Sequence, residues 1–226
     1  MEDFVPPDLL ERFEFYNYNH ALEIMTQAFP VEWGEIIHCL RNLSISVSDL
    51  REAGGNETKI PKKFDDILYP LGWREIKIKG DLYVKIYPRQ ADQRRGRFNE
   101  DPNAPYEEHR ILGYIDGHNI DFVKNRVAFD LEWNSKDQTF DRDLLAMRTY
   151  YECDIISAGI IVTRAKELQE VFHDIMDETG KPIARKYGAS TTWIGKLLPR
   201  LDSRRNGGCP ILAIGIKKSC IADWRK

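Results

Sequence analysis

The sequence predicts an α/β fold in which helices flank a mixed central β-sheet. Apolar strands alternate with amphipathic helices through the centre of the chain, an order typical of crossover units. Residues 153–163 are almost continuously apolar, as in strands that are buried on both faces. No internal repeat or clear linker divides the 226 residues. We therefore expect a single domain over residues 1–226.

The N-terminal half predicts a helix, a hairpin and a polar excursion. Residues 30–43 place apolar side chains at helical spacing. Residues 73–88 alternate isoleucine and valine with lysine around Gly80 and Asp81, which predicts a hairpin with its turn at that pair. Residues 89–110 are almost wholly polar, so we expect an exposed excursion from the surface there.

The rest of the chain alternates strands with helices. We expect a first strand to end near Asp121, and residues 126–133 to form a second strand. Residues 140–152 predict a helix that is capped by Thr139 or Asp141. The remaining expected elements are a strand at 153–163, helices at 164–178 and 190–201, the latter ended by Pro199, and a strand at 209–218.

The charge of the chain is unevenly distributed. The net charge of −3 by itself argues weakly against a nucleic-acid binder. Residues 181–226, however, contain eleven Lys or Arg against two Asp, a net charge of +9, which leaves −12 for residues 1–180. Such a basic flank beside an acidic centre suits a polyanion. A solvated basic tail is the alternative, and composition leaves both open.

Several protein classes lack their signals in this sequence. The four cysteines form no CxxC pair, and the five histidines form no zinc-binding pattern. The apolar run IISAGIIVT has about half of the ~18 residues of a membrane span. The N-terminus is acidic and lacks an apolar signal core. We therefore expect reduced thiols, no membrane partner and a cytoplasmic protein.

The strand at 126–133 contains two acids among apolar residues. Strand side chains alternate between faces, so Asp130 and Glu132 emerge together on one face. Twist of the sheet can bring Asp121 to the same place. Three clustered carboxylates repel one another, and a divalent cation such as Mg²⁺ or Mn²⁺ would relieve that repulsion. A cation held there could act on a phosphodiester. The alternative is that both strand acids lie on the wet face of an edge strand.

Residues 121–133, DFVKNRVAFDLEW, resemble the active-site strand pair of type II restriction endonucleases of the BglII/BstYI kind, in the PD-(D/E)xK nuclease superfamily. FEFYNYNHALEIM, WGEIIHCL, YYECDIISAGIIV and GGCPILAIGIKK resemble the same family in the same order, so the likeness covers most of the chain except 89–110. The resemblance implies a restriction-endonuclease-like core. It also implies a Mg²⁺-dependent, sequence-specific deoxyribonuclease of a prokaryotic restriction–modification system, with Mn²⁺ able to substitute.

The resemblance also implies roles for individual residues. Asp121 and Asp130 match the family's two metal-binding acids, and the backbone carbonyl of Leu131 would be a further ligand. Glu132 stands where the superfamily most often has lysine, so it would have to act as a carboxylate, either on the metal or as a proton acceptor. Glu35 is a candidate for a further acid near the site, although an exposed helical glutamate is an equally simple interpretation.

By the same resemblance, the protein would be a homodimer that cuts both strands of a short palindromic double-stranded DNA site and leaves 5′-phosphates. Relatives cut sites centred on GATC, which is only a starting expectation here. The helix at 141–152 is the candidate dimer interface, since Leu144, Leu145, Met147 and Tyr151 exceed what one buried stripe needs. The candidate DNA contacts are Lys124, Arg126, Lys136, Ser190, Thr191, Arg204, Arg205 and Asn206.

Two other functions remain open at this point. A non-catalytic DNA-binding protein could keep the same fold, and a structure-specific repair nuclease could share the superfamily. The intact acids weigh against the first alternative. The chain-wide resemblance weighs against the second.

Overall fold

The computed structural model describes residues 4–51, 59–88 and 105–224. They belong to two compact units, one formed by Met1–Ile76 with His118–Lys226 and one by Lys77–Gly117. A single domain over the whole chain therefore stays a prediction.

The helices are α1 (Pro7–Arg12), α2 (Ala21–Ala28), α3 (Pro30–Asn42), α4 (Val47–Arg51), α5 (Lys59–Leu68), α6 (Thr139–Glu152), α7 (Glu167–Asp174) and α8 (Ile194–Asp202). The strands are β1 (Phe13–Tyr18), β2 (Arg74–Ile76), β3 (Lys79–Ile86), β4 (Glu107–Asp116), β5 (Ile120–Lys124), β6 (Val127–Glu132), β7 (Ala158–Arg164) and β8 (Ile211–Ile216).

The larger unit is built on a six-stranded mixed sheet with the strand order β1-β8-β7-β6-β5-β2. Strands β6, β7 and β8 are parallel, and the outer pairings are antiparallel. Every residue of the three parallel strands is buried, as expected for strands that are covered on both faces. The prediction of a mixed central sheet flanked by helices is confirmed.

The apolar face of β6 lies in the main core. Phe129 packs against Phe64 of α5 and Phe122 of β5, with ring centroids 5.6 Å apart in both pairs. On the other side of the sheet, α6 approaches so closely that a Cβ on Gly159 of β7 would clash with the sulfur of Met147. The glycine is what permits this close packing of the helix on the sheet.

The smaller unit is the antiparallel pair of β3 and β4. The predicted hairpin with a turn at Gly80 and Asp81 is wrong. These two residues lie within β3, which pairs with β4, whereas β2 pairs with β5. The register of β3 shifts between Gly80 and Leu82, so the glycine marks a bulge. The Asp81 side chain accepts a hydrogen bond from the backbone of Gly113 at 2.8 Å, which stabilises the bulge.

Three further boundaries differ from the predictions. Asp121 lies near the start of β5, because the expected first strand is two strands, β4 and β5. Neither Thr139 nor Asp141 caps α6, which begins at Thr139 after Gln138 without a side-chain cap. Pro199 lies inside α8 instead of ending it. The structure also corrects some lengths: residues 153–157 bend before β7 begins, and 107–110, expected in the polar excursion, belong to β4. Residues 89–104 of that excursion lie outside the described residues.

The helices of the described residues are all too short or too polar to cross a bilayer. The four cysteines are free; Cys153 is exposed and the other three are buried.

Candidate active site

The antiparallel pairing of β5 with β6 places two acids opposite each other. Phe122 and Phe129 form the last pair of this ladder, and Asp121 and Asp130 come directly after that pair on the two strands. The backbone N–H of Asp121 donates to Oδ1 of Asp130 at 3.2 Å. In turn, the backbone N–H of Leu131 donates to Oδ2 of Asp121 at 3.1 Å. These two hydrogen bonds hold both carboxylates together at the end of the ladder.

Glu132 follows Asp130 on the same face and is held by the start of α6. Its Oε2 accepts a hydrogen bond from the hydroxyl of Thr139 at 3.0 Å. Asp130 is only 4% exposed and Glu132 only 6% exposed, and β6 lies between β5 and β7. The alternative interpretation, in which both acids lie on the wet face of an edge strand, is therefore wrong.

A fourth acid, Asp143 of α6, faces Glu132 and was missed by the sequence analysis. It is 1% exposed, and its Oδ1 accepts hydrogen bonds from Nε and Nη2 of Arg142 at 3.1 and 3.0 Å. Nη2 of Arg142 also lies 3.7 Å from Oε1 of Glu132. A signal for Asp143 exists in the sequence, because it shares the i, i+3, i+4, i+7 stripe with Phe140, Leu144 and Met147.

The pKa values of these acids are shifted upward by their surroundings. Burial raises the pKa of Asp121, Asp130 and Glu132, and the charge of Asp121 adds to the rise at the other two. Burial also raises the pKa of Asp143 to about 8, with a further contribution from Glu132. Such shifts arise where several carboxylates share a poorly solvated space. They are typical of functional sites.

A cavity of about 220 Å³ opens beside Asp121 and Leu131. Its walls include Asp65 of α5, Tyr69 directly after α5, and Glu75 of β2. Burial raises the pKa of Asp65, and the charge of Asp121 adds to that shift. Asp65 and Glu75 were not predicted, since their approach to Asp121 depends on how α5 and β2 pack. The cavity gives Asp121 access to solvent while Asp130 lies deeper.

The carboxylates fit a divalent cation that completes its ligand set from outside the protein. Within the residues that the structure describes, no three His, Cys, Asp or Glu side chains form a preassembled metal cage. However, Oδ2 of Asp130 is buried and has no hydrogen-bond partner, and such an atom is costly unless a charge neutralises it. Asp121, Asp130 and the carbonyl of Leu131 would leave positions open for water and phosphate oxygens, as Mg²⁺ prefers.

Glu35 and Lys124 contact each other instead of joining the acids. The Glu35 carboxylate accepts hydrogen bonds from Nε1 of Trp73 at 2.9 Å and from Nζ of Lys124 at 2.5 Å. Nζ of Lys124 also donates to the carbonyl of Leu71 at 2.8 Å. Lys124 is three residues from Asp121 in β5, so alternation directs it to the opposite face. This ion pair ties β5 to α3.

Arg126 stabilises the chain around the turn between β5 and β6. It donates from Nε to the hydroxyl of Ser157 at 2.9 Å and from Nη2 to the carboxylate of Asp154 at 2.5 Å. Its backbone φ of +73° is typical of tight turns. Its side chain is thus occupied by the segment that leads into β7.

Lys136, Ser190 and Thr191 are brought together beside the acids. The segment after β6 pairs with the segment before α8 through an isolated bridge between Lys136 and Thr191. The backbone N–H of Asp137 donates to the carbonyl of Ser190 at 2.8 Å. The Thr139 hydroxyl also lies 2.7 Å from the carbonyl of Lys136, so its single proton is shared between that carbonyl and Glu132. Lys136 and Ser190 are exposed at this rim.

A fully buried arginine holds the same rim and was also missed. Arg164 of β7 donates to the carbonyl of Thr192 and to the hydroxyl of Thr191, both at 2.6 Å from Nη2. Its guanidinium lies over the rings of Phe172 and Tyr187. Burial lowers the pKa of Arg164 to about 10. It therefore fixes the backbone that presents Ser190 and Thr191.

Three of the candidate DNA contacts lie in the loop after α8, and their environments differ. Arg204 is exposed, whereas Arg205 forms an ion pair with Asp141. Asn206 is 2% exposed, and its side-chain amide donates to the carbonyl of Cys209 at 2.6 Å. Asn206 thus has a structural position in which its amide faces the protein. The basic C-terminal segment as a whole includes α8 and the buried strand β8, so it is not merely a solvated tail.

The family described as "Restriction endonuclease BglII/BglIII" matches residues 13–216. That range runs from the first residue of β1 to the last residue of β8 and includes all the acids described above. No individual curated protein matches the chain.

Proposed function

The chain belongs to the BglII/BglIII family of restriction endonucleases and is therefore a type II site-specific deoxyribonuclease that acts on double-stranded DNA; from this premise we propose that Asp121, Asp130 and Glu132 form its catalytic centre. Mg²⁺ is the proposed cofactor, and Mn²⁺ would substitute for it. The reaction is hydrolysis of one phosphodiester bond in each strand of a short palindromic site, leaving 5′-phosphates.

The buried, unpartnered oxygen of Asp130 is the observation that carries this proposal. A protein gains nothing from burying such an atom for stability alone, since an unpaired carboxylate costs several kcal/mol in a poorly solvated site. Its position opposite Asp121, beside an open cavity, suits a ligand that arrives with the substrate.

The side chains have separate tasks in this centre. Asp121, Asp130 and the carbonyl of Leu131 would hold the cation, which supplies positive charge at the scissile phosphate and lowers the pKa of water when it is bound. Glu132 is fixed by Thr139 and is proposed to orient the attacking water and accept its proton. Proton acceptance suits a carboxylate whose pKa is raised by burial. Glu35 is assigned to the support of β5, where it pairs with Lys124.

The exposed residues at the rim of the site are the better DNA contacts. We assign phosphate contacts to Lys136 and Ser190, which are exposed beside the acids, and to Arg204. Thr191 and Arg205 would support these phosphate contacts while they keep their bonds to Arg164 and Asp141. Lys124, Arg126 and Asn206 are occupied within the protein, and we assign them structural tasks.

The proposed enzyme is a homodimer, because two copies related by a two-fold axis match a palindromic site. The interface is assigned to α6, where Leu145 is 55% exposed and Tyr151 is 39% exposed. Leu144 and Met147, by contrast, are buried in the chain's own core. Leu145→Glu would place a charge in the interface and is expected to give a monomer in light scattering. A wild-type chain that stays monomeric with its DNA site would contradict this assignment.

The decisive experiment is cleavage of a supercoiled plasmid in Mg²⁺, followed by run-off sequencing of the cut ends. Discrete bands with one common end sequence support the proposal, and a GATC-centred site is the first to inspect. Specific binding without cutting in Mg²⁺, Mn²⁺ or Ca²⁺ would contradict the catalytic assignment. Cutting of branched DNA without regard to sequence would instead indicate a repair nuclease.

A further inference from the structure

A cation, Arg142, lies at the edge of the acid cluster. Arg142 of α6 lies 3.7 Å from Glu132 and 3.0 Å from Asp143 through the same Nη2 atom. Its charge also acts on Asp121, where it opposes the rise in pKa that burial causes. Arg142 therefore faces the acids from the helix that follows the catalytic strand.

One side of the Arg142 guanidinium is hydrogen-bonded to Asp143, and its other side is not. Asp143, which is almost fully buried, accepts both Nε and Nη2 and so fixes the plane of the guanidinium. The remaining nitrogen, Nη1, donates to no acceptor in the described part of the chain, and the side chain is 45% exposed. A guanidinium anchored in this way presents free N–H groups toward solvent beside the acids.

A phosphodiester is the natural acceptor for those free donors. Guanidinium groups bind phosphate oxygens through paired N–H donors, and the acids themselves offer no positive charge to an incoming phosphate. An arginine whose task was only to neutralise Asp143 would be better placed inside, with its donors satisfied. Arg148 of the same helix shows the ordinary case, since it pairs with Glu152 at 2.8 Å on the surface and is 47% exposed.

We propose that Arg142 is a further catalytic residue, which donates a hydrogen bond from its guanidinium to a non-bridging oxygen of the scissile phosphate. This inference rests on the proposed function of the site. In the reaction, the water oxygen forms a bond to phosphorus, the bond from phosphorus to the 3′-oxygen breaks, and that oxygen leaves as a hydroxyl after gaining a proton. Arg142 keeps its own proton and stabilises the charge that builds on the phosphate oxygens.

Single-turnover cleavage of a duplex that the wild-type chain cuts, at saturating Mg²⁺, tests the proposal. Arg142→Ala is expected to slow cleavage by about 10²-fold, and Arg142→Lys to retain part of the rate because it keeps a charge without the paired donors. Arg41→Ala is the control, because Arg41 of α3 pairs with Asp8 at 2.8 Å on the surface; it should stay within about twofold, as surface ion pairs contribute little. Added methylguanidine should partly restore the Arg142→Ala rate and leave the Arg41→Ala rate unchanged.

Two further measurements separate phosphate binding from a structural task. Thermal unfolding shows whether each variant is folded, and Arg142→Gln replaces the alanine variant if that one unfolds. Mn²⁺ affinity, measured by calorimetry without DNA, should be kept or increased in Arg142→Ala, because a repelling charge is removed. Cleavage within threefold of wild type, or a rate loss explained by weaker Mn²⁺ binding, would overturn the role of Arg142. A wild-type chain that cuts no DNA would overturn the proposed function itself.

Discussion

The two faces of strand β6 differ sharply in what they contribute. On one face, Val127, Phe129 and Leu131 pack in the main core with other apolar and aromatic side chains. On the other face, Asp130 and Glu132 are equally buried but meet further acids, and one oxygen of Asp130 has no partner. Six consecutive residues thus combine a stabilising surface with a destabilising one.

The contrast shows how this fold supports a costly site. A fully buried apolar side chain contributes about 1.5–3 kcal/mol, whereas a buried carboxylate without a partner subtracts a comparable amount or more. The pleat fixes both faces in one register. Packing of the apolar face therefore keeps the acids buried, although solvation alone would favour their exposure. Changes on the two faces should therefore have opposite effects on stability and activity.

Asp130→Asn should have the largest effect on activity. The amide keeps the shape but removes a charge that binds the cation, so we expect cleavage to fall by at least about 10³-fold, with DNA binding retained. The metal-free protein should become more thermally stable, because an unpaired buried carboxylate is lost. Plasmid cleavage, gel shift and thermal unfolding measure the three effects. Unchanged cleavage would refute the catalytic assignment of Asp130.

Phe129→Ala should affect mainly stability. Loss of the ring between Phe64 and Phe122 leaves a cavity, so the free energy of unfolding should fall by about 3–5 kcal/mol. Denaturant titration measures this change. Phe129→Leu, which keeps most of the volume, should cost less than about 1.5 kcal/mol. If cleavage per folded molecule at low temperature fell as far as in Asp130→Asn, the separation of the two faces would be wrong.

Glu132→Gln should be milder than Asp130→Asn. Glu132 already has a protein partner in Thr139, and glutamine can keep that hydrogen bond while losing the proton acceptor. We expect a 10- to 100-fold loss, roughly the scale of changes next to a metal, in single-turnover cleavage. A loss equal to that of Asp130→Asn would mean that Glu132 is a cation ligand of the same importance.

Lys136→Ala should have the smallest effect. Lys136 is exposed at the rim beside Ser190, so one phosphate contact would be lost. The slope of the logarithm of DNA affinity against the logarithm of salt concentration should decrease by about 1. Fluorescence anisotropy in Ca²⁺ measures that slope. Lys166, an exposed lysine at the start of α7, provides the control variant Lys166→Ala. An equal decrease of the salt slope in Lys166→Ala would contradict the assignment of a phosphate contact to Lys136.

The sequence by itself determined the alternation of strands and helices and the character of β6. Period-two alternation in RVAFDLEW separates the apolar residues from Asp130 and Glu132 without knowledge of the partner strands. The helical stripe of α3 and the apolar run of β7 are likewise local patterns, and each matches an element of the structure. Local patterns are reliable here because burial on one or two faces is written into neighbouring positions.

Tertiary structure alone decided which segments meet. Residues 73–88 were expected to form a hairpin, yet the partner of β3 is β4, because strand pairing depends on contacts that are distant in sequence. Glu35 was a candidate for a further acid near the site, and the packing of α3 pairs it with Lys124. The same long-range packing brought Arg142 and Asp143 to Glu132. Periodicity places Asp143 on the inward stripe of α6, but it does not encode which residues come into contact, since that depends on the register and approach of elements that fold together.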